Sequence, residues 1–87
     1  MSKEFFLELS AFEDFQDWAR LDRKIYHKIV TLLKKIEHSY LNIPDEAIKL
    51  ERELNNYWSI KIDEEHRLVY KITSQKIIII ACKYHYF

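Results

Sequence analysis

The second half of the chain interleaves cations and imidazoles with aromatic rings. Lys61, His66, Arg67, Lys71, Lys83 and His85 alternate with Tyr57, Trp58, Tyr70, Tyr84 and Tyr86. Lys and Arg neutralise phosphates, and aromatic rings offer stacking faces. Side chains alternate across a strand. If Trp58, Ile60 and Ile62 turn inward from one strand, and Leu68, Tyr70 and Ile72 from the next, Lys61 and Arg67 share the opposite face. Lys83 and His85 join them from the last strand, provided no bulge intervenes. Such a cluster suits metal-free RNA cleavage. A general base takes the ribose 2′-OH proton, and the oxygen attacks the adjacent phosphorus. Cations stabilise the phosphate charge, and an imidazolium protonates the leaving 5′ oxygen. His85, with an ordinary pKa of ~6.5, suits the acid role. Arg67 offers a fork matched to phosphate oxygens. On composition alone, an ordinary solvated sheet face is the simpler reading.

The chain must hold these residues within one domain of 87 residues, of which 48% are hydrophobic and 32% charged. Fourteen Lys+Arg balance fourteen Asp+Glu, so no global basic field advertises a nucleic-acid partner. The charge is nevertheless segregated: residues 1–22 carry six acidic and two basic groups, residues 23–44 one acidic and five basic. There is no glycine. Gly-rich phosphate loops and dinucleotide fingerprints are thereby excluded, and positive-φ turns must fall to Asn42, Asn55-Asn56 or Asp63. The one cysteine, Cys82, excludes an internal disulfide and reads as a small buried hydrophobe. No ligand spacing suggests a metal, and no cofactor is expected. The longest apolar run, Ile77 to Cys82, is six residues, far below the ~20 needed to span a bilayer. With no secretory signal at the N-terminus, the expectation is a small cytoplasmic protein without a membrane partner.

A short strand is expected over 3–9. Ser10 and Glu13 read as a capping box opening a helix over about 11–20, with Phe12, Phe15 and Ala19 on one face. Asp22 reads as the cap of a second helix whose stripe is Ile25, Ile29, Leu32, Leu33 and Ile36. Lys24, Lys28 and Lys35 occupy its other side, where His27 and His38 are also expected to meet solvent. Trp18 reads as core or interface, Trp58 as core. Around Pro44 the stretch 42–49 reads as a loop. Strands follow at 50–54, 57–62, 66–72 and 76–84, joined at hairpin lengths. The fold class is α+β, ordered β-α-α-β-β-β-β. Its sheet is mostly antiparallel, with the helix hairpin on one face.

Two blocks, Glu65-His66-Arg67-Leu68-Val69-Tyr70 and Ala81-Cys82-Lys83-Tyr84-His85-Tyr86, resemble the paired signature of the YoeB (Txe/YoeB) toxins. These belong to the RelE superfamily of type II toxin–antitoxin systems. Tyr57-Trp58-Ser59-Ile60-Lys61-Ile62 is similar to the family's Phe-Trp-Ser-x-(Arg/Lys)-Ile strand, and the likeness runs through nearly the whole chain. The resemblance implies a single RelE-like toxin domain over 1–87. It implies an endoribonuclease that cuts mRNA in the ribosomal A site, and a cognate YefM-like antitoxin. It also implies assembly as a homodimer or a toxin–antitoxin hetero-oligomer. At matching positions Arg67 becomes the phosphate stabiliser, His85 the acid and Tyr86 a site residue near the scissile nucleotide. Lys61 and Lys83 become RNA contacts, with Lys49 counted beside them.

The family's glutamate base departs from this pattern. Ungapped alignment puts Ile48 at its position, so Glu46 is the expected substitute, with Asp45 and Glu51 behind it. Phe87 extends past the tyrosine that usually ends the family. The rival reading is an inert homologue that occupies ribosomes or titrates an antitoxin. A nuclease of free RNA is a third, against which the zero net charge argues.

Overall fold

The computed structural model describes residues 3–50 and 56–83. Strand β1 (Glu4–Leu7) leads into helices α1 (Leu9–Leu21) and α2 (Arg23–His38) and a 3-10 turn at Tyr40–Asn42. Strands β2 (Ile48–Lys49), β3 (Tyr57–Lys61), β4 (Arg67–Ile72) and β5 (Lys76–Ala81) follow. The sheet order is β1-β5-β4-β3-β2. Among the described residues only the β1–β5 pair is parallel. The expected α+β architecture, with a helix hairpin on a mostly antiparallel sheet, is the one observed.

Asp22 builds the hairpin alone. Its backbone is extended (φ −156°, ψ 98°), which stops α1, and its N–H still donates to the Trp18 carbonyl at 2.9 Å. Its carboxylate then accepts from the N–H groups of Lys24 (3.0 Å) and Ile25 (3.3 Å), capping α2. A single residue thus closes one helix and opens the next.

The capping box at Ser10 does not form. The Glu8 N–H still follows β5, donating to the Ile79 carbonyl at 3.0 Å, while the Glu8 carbonyl already accepts from Phe12. The helix therefore starts at Leu9 with Glu8 as an N-cap lacking a side-chain bond, and Ser10 falls inside the first turn. Its hydroxyl donates instead to the Ile80 carbonyl, at 3.4 Å. The buried stripe of α1 is also rotated from Phe12, Phe15 and Ala19. Ala11 and Trp18 are buried and Phe15 stacks on Tyr26, whereas Phe12 is exposed.

The stripe of α2 holds: Ile29, Leu32 and Ile36 are buried, with Ile25 and Leu33 packed against the same core. From the sheet Ile60, Ile62, Leu68, Tyr70, Ile77 and Ile79 meet them. Tyr70 carries its hydroxyl into this core and satisfies it on the Asn42 carbonyl at 2.9 Å. Burial raises that phenol's pKa, as does the charge of Glu46.

Asn42 (φ 62°) and Asn56 (φ 66°) take the positive-φ positions expected of them. Leu41 (φ 56°) joins them, and Asp63 does not. Two residues read as loop, Ile48 and Lys49, form β2; positions 51–54 of the expected strand lie outside the described residues. Among the described residues no helix is long and apolar enough to cross a membrane. Asp22→Ala is expected to lower stability by about 1 kcal/mol, and Ser10→Ala, which removes no cap, by less than half of that. Urea unfolding of the two variants measures both.

Candidate nucleic-acid interface

The β3–β4 hairpin sets the site. Asp63 accepts from the N–H groups of Glu65 (2.9 Å) and His66 (2.7 Å), a tight turn that a short acceptor side chain makes without glycine. The Ile62 N–H donates to the His66 carbonyl at 2.9 Å, closing the hairpin. Directly opposite residues share a face. Lys61 therefore stands beside Arg67, and Ser59 beside Val69, all on the face away from the helices.

Among the described residues one side-chain hydrogen bond holds Arg67 there. Its Nε donates to the buried Ser59 hydroxyl at 2.6 Å. Its two terminal nitrogens make no hydrogen bond among the described residues, so the planar fork stays available to an oxyanion. Lys61 is paired with Glu64 at 2.7 Å, both side chains well exposed. Surface pairs of that kind are worth about 0–1 kcal/mol, so parting the two costs little. Ser59 was not singled out by sequence reasoning. A small hydroxyl one alternation from Lys61, flanked by large apolar residues, was the available signal.

Ile48 is the Cα partner of Ser59, so it flanks the Arg67 anchor on the open face. It is 57% exposed and has no proton-accepting group. Glu46 lies elsewhere. Its carboxylate accepts from Lys35 of α2 at 2.7 Å, and that bond holds it below the usual carboxylate range. Its charge reaches Tyr70, a side chain of the helix-facing core. Lys49 pairs with Trp58 and by register belongs to the Trp58 side of the sheet, not the Arg67 side.

Strand β5 ends before the expected position 84. Val69 opposes Ala81 while Tyr70 opposes Ile79, so Ile80 is an extra residue, a β-bulge. Inward-facing parity therefore changes from Ile77 and Ile79 to Cys82. Both backbone polar groups of Cys82 then leave the sheet for α1. Its N–H donates to Asp14 Oδ2 at 3.3 Å, and its carbonyl accepts from Trp18 Nε1 at 2.8 Å. Lys83 follows: its ammonium bonds Asp17 at 3.2 Å and lies 5.8 Å from the Trp18 ring centre. The structure thus draws Lys83 toward α1 rather than leaving its charge beside Arg67. His85 and Tyr86, with Glu51, lie outside the described residues.

His66 packs on the helix side, edge-on to Trp18 at 4.7 Å, and Cys82 is buried against the Ala11 carbonyl. Burial pushes the Cys82 thiol up to about 12, with Asp14 adding to the shift. The reactive species is the thiolate. At pH 8 the folded protein is therefore expected to resist a disulfide reagent that labels it promptly in denaturant. Equal labelling rates would contradict the buried assignment.

A model of the YoeB-like toxin of bacterial type II toxin-antitoxin systems matches residues 7–86. Toxin YoeB of Escherichia coli (strain K12) is 36% identical over 76 residues, covering 87% of this chain and 90% of that protein. A YoeB dimer from Staphylococcus aureus superposes with a TM-score of 0.83 at 38% identity, over 97% of this chain and 98% of that one. The toxin in a YoeB–YefM complex from the same organism gives 0.83 at 35%, with the same coverage.

Proposed function

This chain belongs to the YoeB-like toxins of bacterial type II toxin–antitoxin systems, and from that premise we propose that it is a ribosome-dependent endoribonuclease cutting mRNA in the A site. One observation supports the reading most directly: an arginine fork anchored at Nε by Ser59, with Lys61 directly across from it on the face opposite the helices. In this reading the 2′ oxygen attacks the adjacent phosphorus and the 5′ oxygen leaves, so a 2′,3′-cyclic phosphate and a 5′ hydroxyl result. Charge builds on the non-bridging oxygens, where Arg67 binds two at once and Lys61 adds a second cation. His85 protonates the 5′ oxygen, and Tyr86 lies near the scissile nucleotide. The step uses acid–base chemistry and calls for no metal. Lys83 acts on RNA only after parting from Asp17, and Lys49 only from the other side of the sheet.

The proton-accepting step divides two readings. Glu46 takes the proton if it leaves Lys35 and reaches the Arg67 face. Alternatively no carboxylate serves, cleavage is slow, and the chain acts chiefly by occupying ribosomes or titrating its antitoxin. Ile48 beside Ser59 and the Lys35–Glu46 bond count against Glu46 as the base. An antitoxin of the YefM kind is the proposed partner. Self-association or a toxin–antitoxin hetero-oligomer in the cytoplasm is the proposed state, as the S. aureus dimer and complex suggest.

Cleavage on programmed ribosomes, mapped by primer extension, tests all of this at once. Wild type is expected to cut within the A-site codon, and Arg67→Ala and His85→Ala to fall by about 10²-fold or more. Glu46→Gln is expected to change the rate by less than about threefold, and Ile48→Glu to raise it by about tenfold or more. Cleavage indifferent to both Arg67 and His85 would sink the enzyme reading. Loss of activity in a folded Glu46→Gln variant would restore Glu46 as the base.

A further inference from the structure

The sheet face away from the helices continues past Arg67, across the buried pair Val69 and Ser59. Lys71 lies four residues further along β4, directly across from Tyr57 on β3. Ile78 on β5 and Phe6 on β1 extend the same cross-strand row. The Lys71 ammonium stands 5.4 Å from the Tyr57 ring centre, and the Lys76 ammonium 4.7 Å from that of Phe6. Lys61, Lys83 and Lys35 all sit on carboxylates, whereas neither Lys71 nor Lys76 makes a salt bridge among the described residues. Lys76 even lies over Phe6 although Glu4 is its Cα partner. Phe6 is 44% exposed, an unusual position for a phenylalanine on an edge strand.

Two aromatic rings and two uncommitted ammonium groups therefore share the face that carries Arg67 and Lys61. At strand rise, four residues span about 13 Å, so Lys71 is within reach of a strand whose phosphate lies on Arg67. We propose that Tyr57, Lys71, Phe6 and Lys76 form a second single-stranded RNA subsite, next to the nucleotide held by Arg67 and Lys61. On binding, each lysine swings from its ring to a phosphate and the freed ring takes a base. Exposed cation–π contacts are weaker than base stacking on the same ring, so the exchange is favourable. RNA fits better than an acidic peptide, because the flat rings adjoin a fork that takes two phosphate oxygens. The proposal deepens the endoribonuclease reading and rests on it.

The test uses a short single-stranded RNA with 2′-O-methyl groups, which cannot be cut, bound to the free protein across a salt series. Lys71→Gln combined with Lys76→Gln is expected to weaken binding about fivefold or more. It is also expected to flatten the slope of log K against log salt by about 1.4, at ~0.7 for each phosphate no longer neutralised. Tyr57→Leu is expected to weaken binding with the slope unchanged, and Lys71→Arg with Lys76→Arg to restore it. A double glutamine variant that matches wild type in affinity and slope overturns the subsite, whether both bind or neither does. Lost affinity for a polyglutamate peptide with RNA binding intact also overturns it. Ribosome cleavage separates the two proposals. Wild type that binds RNA through these residues yet cuts nothing leaves the subsite standing and removes the nuclease. Wild type that cuts while the glutamine variant binds normally removes the subsite alone.

Discussion

At Ala81 the last strand stops pairing, because the next residue has both its backbone polar groups claimed by a helix. Cys82 gives its N–H to Asp14 and receives the Trp18 indole N–H on its carbonyl. Buried backbone groups must find partners, so strand pairing can end here only because α1 supplies them. The Ile80 bulge makes the exchange possible by turning Cys82 inward. Three α1 side chains, Asp14, Asp17 and Trp18, thereby hold Cys82 and Lys83 against the helix. The helix hairpin must sit where Asp22 puts it for that to happen. One extended residue between two helices and one bulge in the sheet together set the direction of the chain at its last described turn.

Cations on this protein differ in how firmly they are held. Lys83 and Lys35 are each bonded to a carboxylate whose pKa that bond lowers. Lys61 shares an exposed pair with Glu64, which solvent and salt weaken. Among the described residues Arg67 is bound through Nε alone, to an uncharged hydroxyl. A chain with zero net charge can thus still present a local anion site, because Asp17 and Glu46 are engaged at the helices and Asp63 and Glu64 at the hairpin turn. Specific pairing, not total charge, decides where a phosphate finds a free cation.

Much of this was legible in the sequence. Alternation in Tyr57–Lys61 and Arg67–Ile72 placed Lys61 and Arg67 on one face, and the register across the hairpin agrees. The α2 stripe was readable because its apolar spacing is regular. The start of α1 was not, since a tertiary bond from Glu8 to β5 overrode the Ser10–Glu13 pattern. The turn toward the Lys83–Asp17 pair was equally hidden. It depends on a bulge and on contacts between residues more than sixty apart, which no local pattern encodes. Glu46 looked like a replacement base on chain proximity, but three-dimensional proximity gives it to Lys35. Leu41 in the left-handed region carried no sequence signal, because leucine rarely takes that conformation.

The proposed cleavage turns on contact between Arg67 and the scissile phosphate from the sheet face away from the helices. A phosphorothioate at the cleaved position of a ribosome-bound mRNA tests it most directly, with single-turnover rates compared between wild type and Arg67→Ala. Because the fork takes both non-bridging oxygens, each sulfur diastereomer is expected to slow wild type sharply and to slow the alanine variant no further than its oxygen substrate. The same sulfur effect in both proteins would mean that Arg67 does not touch that phosphate, and would contradict the account.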